Sequence, residues 1–138
     1  MATAAEAIAE GRKARSEGDF TVARERYAAA AQIYRARKDD LAYAHAIRHI
    51  ADIYLQESKL AEAGPLYEES LELYRANLGT KILDLANALR PYALLNEGQG
   101  NPELARALWQ EARHLYNSIR IEPGVSECDA HIRKLQQS

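Results

Sequence analysis

Apolar and polar positions alternate along most of the chain at helical spacing. The clearest instance is the stretch SKLAEAGPLYEESLELYR, residues 58–75. Small Ala63 is followed by Tyr67, Ser70, Leu71 and Tyr74, which places small and bulky apolar groups on one helix face. The same pattern occurs upstream in DFTVARERYAAAAQIYR, with Ala23, Tyr27, Ala30 and Tyr34. It occurs again downstream in NPELARALWQEARHLYN, with Ala105, Trp109, Ala112 and Tyr116. The leading alanines 23, 63 and 105 are 40 and 42 residues apart. A fixed period in this range is the signature of a helical-repeat solenoid.

Read in order, the pattern predicts seven helices. The first, from Thr3 to Ser16, carries Ala4, Ala7, Ile8, Gly11 and Ala14 and is amphipathic with small residues on its apolar face. Glu17-Gly18-Asp19 forms a turn, with Gly18 suited to a helix end and Asp19 to capping the next helix. That helix runs to about Arg37, and Lys38-Asp39-Asp40 breaks it. The third helix runs from about Asp40 to Glu57 and the fourth is the Tyr67 stretch, with Pro65 about one turn in. Asn77 to Thr80 connects it to a fifth helix from Lys81 to Asn96, which Pro91 should bend. Asn101 is expected to cap the sixth helix, which starts at Pro102 and reaches Ser118. Glu122-Pro123-Gly124 reads as another break. Ser126 to Gln136 closes the chain with an apolar stripe of Cys128, Ile132 and Leu135. The expected layout is one domain over 1–138, with hairpin repeats near 2–38, 40–78 and 80–119 and a capping helix near 125–136. One hairpin cannot bury its apolar face alone, whereas three stacked hairpins and a cap can.

Composition supports helix and narrows function. The 138 residues fit one domain. Alanine is abundant, while glycine and proline number only 7 and 4. The net charge of −2 does not suggest general nucleic-acid or anionic-membrane binding. One cysteine excludes an intrachain disulfide, which is compatible with a reducing compartment. Glu6, Glu10, Arg12 and Lys13 interrupt any apolar leader, and no apolar run approaches membrane-spanning length. The expected location is cytoplasmic.

At these positions the hairpins resemble tetratricopeptide repeats. The matching residues are Gly11, Ala14, Gly18, Ala23, Tyr27 and Ala30 in the first repeat. In the second they are Ala51, Tyr54, Ser58, Ala63, Tyr67 and Ser70, and in the third Ala93, Asn96, Gly100, Ala105, Trp109 and Ala112. Ala14 and Asn96 stand where the family has an aromatic, and Ser58 where it has glycine. The period exceeds the family's usual 34 residues and is similar to that of kinesin light chain repeats, as are the runs Pro65-Leu66-Tyr67 and Leu78-Gly79. The resemblance implies an all-α, right-handed superhelix of three hairpins plus a C-terminal capping helix. It also implies an interaction module or adaptor that holds a peptide in a concave groove lined by the first helix of each hairpin.

Mapped onto this chain, the groove would present Ile8, Arg12, Arg15, His45, Arg48, His49, Asp52, Leu55, Asn87, Arg90 and Leu94. Four arginines and two histidines outnumber Asp52, so an extended or helical segment bearing Asp or Glu is the expected partner. The family's carboxylate clamp for chaperone C-termini does not carry over, because Ile8, Arg12, Asn87 and Pro91 stand at its positions. The alternatives are self-association into a homodimer through a repeat edge and, in another class, a metal-binding or catalytic protein using His45, His49 and Asp52. Those three fall at i, i+4 and i+7 on one face, which suits a transition metal. HAIRH nevertheless lacks the glutamate of HExxH, and Arg48 would oppose a cation. His114 and His131 read as solvent-facing, and Cys128 as a buried structural thiol. No phosphate-binding loop or nucleophile elbow is present, so no enzyme activity, metal or cofactor is expected.

Overall fold

The computed structural model describes residues 2–137. Among these, seven α-helices and no strand are found: α1 (Ala4–Ser16), α2 (Phe20–Ala36), α3 (Asp40–Gln56), α4 (Leu60–Ala76), α5 (Ile82–Gly98), α6 (Pro102–Ser118) and α7 (Glu122–Gln136). The all-α hairpin architecture expected from the periodicity is therefore present. Each helix packs on the next, α1 on α2, α2 on α3 and α3 on α4 in one unit, α5 on α6 and α6 on α7 in another. The first unit ends at Asn77 and the second begins at Leu78.

Small residues face large ones within each unit. Ala23, Ala30, Tyr27, Ala63 and Tyr67 in the first are at most 1% exposed, as are Ala105, Trp109 and Ala112 in the second. In the first unit Tyr27 packs in a cluster with Ala14, Ala23, Ile50 and Ile53, against which Ile8 and Leu66 lean. The tyrosine and tryptophan positions are core. Thr3 and Glu6 form a capping box at α1, and Asp19 and Asp39 accept from the backbone N–H of Val22 and Ala42 at the starts of α2 and α3. Asn101 does not cap α6 as expected. Its side-chain amide donates instead to Asn96 Oδ1 at 3.2 Å, where Asn96 is buried and itself donates to the Tyr92 carbonyl. α5 continues through Pro91 without interruption.

Five of the six connections share one geometry. Residues 18, 38, 58, 100 and 120 have positive φ, and the next residue's N–H returns to a carbonyl five positions back: Asp19 to Ala14, Asp39 to Tyr34, Lys59 to Tyr54, Asn101 to Asn96 and Ile121 to Tyr116. This closes each helix with a Schellman turn. The exception is the longer α4–α5 connection, where Leu78 is fully exposed.

α7 starts at Glu122, earlier than the residue 125 expected from Glu-Pro-Gly. The proline occupies the first turn, where its missing N–H costs no helical bond. With that start, α5, α6 and α7 run in register with α1, α2 and α3 at an offset of 82 residues. α2 (20–36) maps onto α6 (102–118), Gly18 onto Gly100, and Lys38 onto Arg120. α7 thus corresponds to α3, the first helix of a hairpin. α3 buries Ala44, Arg48 and Ala51, whereas the matching Ser126, Ala130 and Arg133 of α7 are exposed. Arg133 stands in place of the close-packing Ala51.

Candidate ligand-binding face

In the first unit, eight of the residues expected from sequence lie on α1 and α3. Arg12 is exposed and Arg15 half-buried on α1, one helical turn apart. Arg15 Nε donates to Gln56 Oε1 at 3.1 Å, and among the described residues neither arginine meets a carboxylate. On α3, His45, His49 and Leu55 are half-buried. The two imidazoles meet edge to face, their Nε2 atoms 3.1 Å apart, and His49 stacks on Tyr27 of α2 with ring centroids 5.0 Å apart.

Arg48 is not the solvent-facing groove cation that its place on the helix suggests. It is only 8% exposed and donates to Asp52 Oδ2 at 2.9 Å. Asp52 also accepts from the Tyr67 hydroxyl at 2.5 Å. Burial, the Asp52 charge and this hydrogen bond raise the Tyr67 pKa far above its ordinary value, so the phenol stays a donor. Tyr67, on α4, is therefore both core, as its spacing predicts, and the closing member of a polar network that spacing does not reveal.

The electrostatic centre of the face is His49. Burial first, then Arg48, His45, Arg15 and Arg12, push its pKa down to about 3. It is neutral at pH 7 and surrounded by three guanidinium groups. The charged groups that act on it are all positive. Asp52 is engaged by Arg48 and Tyr67, and no group of three metal-ligating side chains occurs among the described residues.

Asn87, Arg90 and Leu94 belong to the second unit. Arg90 forms a bidentate pair with Glu127 of α7, Nε to Oε1 at 2.5 Å and Nη2 to Oε2 at 2.9 Å. Asn87 Oδ1 accepts from Tyr116 at 2.7 Å, and Leu94 is half-buried. Beside them, Leu83, Ile121 and Pro123 line a groove of about 490 Å³.

A second polar centre of this unit, absent from the expected site, lies at Glu97. Glu97 accepts from Trp109 Nε1 at 2.6 Å and lies 2.6 Å from Lys134 Nζ and 2.7 Å from His131 Nδ1. His131 is not solvent-facing, as expected from sequence, but half-buried and stacked on Trp109 at 4.2 Å. The recurrence of a histidine 22 residues after a core aromatic (27 and 49, 109 and 131) is the signal that could have found it. His114 is exposed, and Cys128 is fully buried, its thiol pushed up to about 11 by burial and by Glu127 and Asp129.

No helix among the described residues is long and apolar enough to cross a membrane. Comparison with curated protein sequences gives no match. Among solved structures, the N-terminal domain of stress-induced protein-1 from C. elegans is similar, with a TM-score of 0.69 and 19% identity over 91% of this chain and 94% of that one. At that identity the likeness concerns the fold. A sequence profile described as tetratricopeptide repeat matches residues 44–118, from within α3 to the end of α6. The chain belongs to the tetratricopeptide repeat family and is a protein-interaction module.

Proposed function

We propose that this module binds an acidic protein segment on the α1/α3 face of the first unit. The observation that carries the reading is the convergence of Arg12, Arg15 and Arg48 on the neutral His49, with no carboxylate on Arg12 or Arg15 among the described residues. Arg48 and Asp52 offset one another, so the surplus positive charge belongs to α1. Guanidinium groups suit carboxylates because they donate two parallel N–H bonds. Leu55 and Ile8 supply apolar surface beside them. Arg90, held by Glu127, is a weaker candidate than Arg12 or Arg15, since a ligand there would displace an existing pair.

The test is calorimetric titration of an N-acetylated, C-amidated octaglutamate peptide at pH 7. The Arg12→Glu, Arg15→Glu double variant is expected to bind at least about tenfold more weakly, a loss of about 1.4 kcal/mol. Binding should weaken as salt is raised, and helical circular dichroism should be unchanged. Equal binding by wild type and variant would sink the reading.

A further inference from the structure

The two three-helix sets in register carry the same ring stack with opposite charges around it. At Trp109, His131 stacks with an interplanar angle of 13°, its Nδ1 at ion-pair distance, 2.7 Å, from the Glu97 carboxylate, which Lys134 also holds. At Tyr27, His49 stacks at 14°. The residue matching Glu97 at the 82-residue offset is Arg15, and the residue matching Lys134 is Asp52. His49 therefore has a guanidinium where His131 has a carboxylate. Its Nδ1 is buried with no hydrogen-bond partner among the described residues, as is Nε of Arg48; His131 Nδ1 also lacks an aligned hydrogen bond, but it has the Glu97 carboxylate at ion-pair distance. Buried polar atoms are rarely left unmatched, and an absent ion is one of the ordinary reasons.

We infer that an anionic oxygen of the acidic ligand takes, at His49, the place that the Glu97 carboxylate holds at His131, and that His49 binds a proton more readily with the ligand in place. The inference rests on the α1/α3 face being the site for an acidic segment. The groups that face His49 from each neighbouring helix are consistent with it. α1 contributes Arg12 and Arg15, α2 the Tyr27 ring, and α3 His45 and Arg48, with Asp52 and Tyr67 of α4 engaged behind Arg48. An anion among these screens the three guanidinium charges that add to burial in keeping His49 neutral, and accepts the new N–H. No covalent bond is made or broken; the proton comes from water and returns to it on release. Between the free and bound titration midpoints, affinity rises as pH falls, by about tenfold per pH unit.

The test follows the four histidine rings by NMR through a pH titration in sodium sulfate and in sodium chloride of equal ionic strength. The expected result is a His49 midpoint at least one unit higher in sulfate, a shift absent in Arg15→Gln, and an unmoved His114. A His49 midpoint equal in the two salts overturns the proton uptake. Octaglutamate binding at pH 7, compared between wild type and the Arg12→Gln, Arg15→Gln variant, addresses the underlying reading separately. Peptide binding that depends on these arginines, with the His49 midpoint unmoved, leaves the acidic-segment reading intact and removes the proton. Absence of peptide binding removes the reading itself, whatever His49 does.

Discussion

A single methyl group decides the packing at Gly124. A Cβ there would lie 2.6 Å from Cγ of Tyr116, which is itself 3% exposed, so neither side has room to move. Gly64, in the interior of α4, offers the contrast, because apart from its chain neighbours Ala63 and Pro65 a Cβ there meets nothing within 4 Å. Gly124→Ala is expected to destabilise by about 1–3 kcal/mol through overpacking, and Gly64→Ala to stabilise slightly, crowding against Pro65 taking back part of the helix-propensity gain of about 0.5–1 kcal/mol. Urea denaturation followed by circular dichroism measures both, and a shared sign would contradict this account of the packing. The left-handed turn positions show what sequence does and does not reveal at this scale. Gly18 and Gly100 announce their turns, since glycine adopts positive φ freely. Lys38, Ser58 and Arg120 adopt the same conformation without any such signal. There the Schellman bonds and the packing of the flanking helices impose a backbone that the residue type disfavours by about 1–2 kcal/mol.

At the scale of helices, the 3.6-residue pattern locates every element within about two residues except α7. Its Glu-Pro-Gly start reads equally well as a break or as a first turn. What sequence could not supply is the role of α7 in holding the second unit together. Glu97 of α5 meets Trp109 of α6 and His131 and Lys134 of α7, so one carboxylate ties three helices. Burial alone would raise its pKa, but the hydrogen bonds from Lys134 and Trp109 and the nearby His131 outweigh that and lower it. A carboxyl whose folded pKa lies below its unfolded value stabilises above the unfolded value and loses that stabilisation as pH falls through the folded one. Glu97→Gln keeps an acceptor for Trp109 but removes the charge, and should cost about 1–2 kcal/mol at pH 7. Trp109 is the sole tryptophan, so its fluorescence reports unfolding of this region directly. The difference between wild type and variant should shrink in acid; a difference constant down to about pH 3 would mean that the charge of Glu97 is irrelevant.

At the scale of the molecule, the chain builds one local arrangement twice and inverts its charges. The repeats and the basic character of the first helices are legible, because each is carried by residue types at fixed spacing. The commitment of Arg48 to Asp52 and Tyr67 is not, since the tyrosine comes from another helix and its register depends on how α3 and α4 pack. The inversion makes a direct exchange informative. Arg15→Glu gives the first unit the carboxylate that the second has at Glu97. In wild type the unfolded chain binds a proton at His49 near the ordinary value of 6.5, whereas the folded chain does so only near 3. The wild-type His49 contribution to stability is therefore complete above about pH 6.5 and is lost as pH falls towards 3. In Arg15→Glu one repelling guanidinium is replaced by an attracting carboxylate. The His49 midpoint, read from its ring proton signals, should rise by at least one pH unit, and acid should cost the variant less stability than wild type. Octaglutamate binding should be lost at the same time, since the new side chain occupies the anion's place and repels it. A midpoint unmoved by the exchange would mean that burial alone governs His49, and that the likeness between the two ring stacks is one of shape without shared electrostatics.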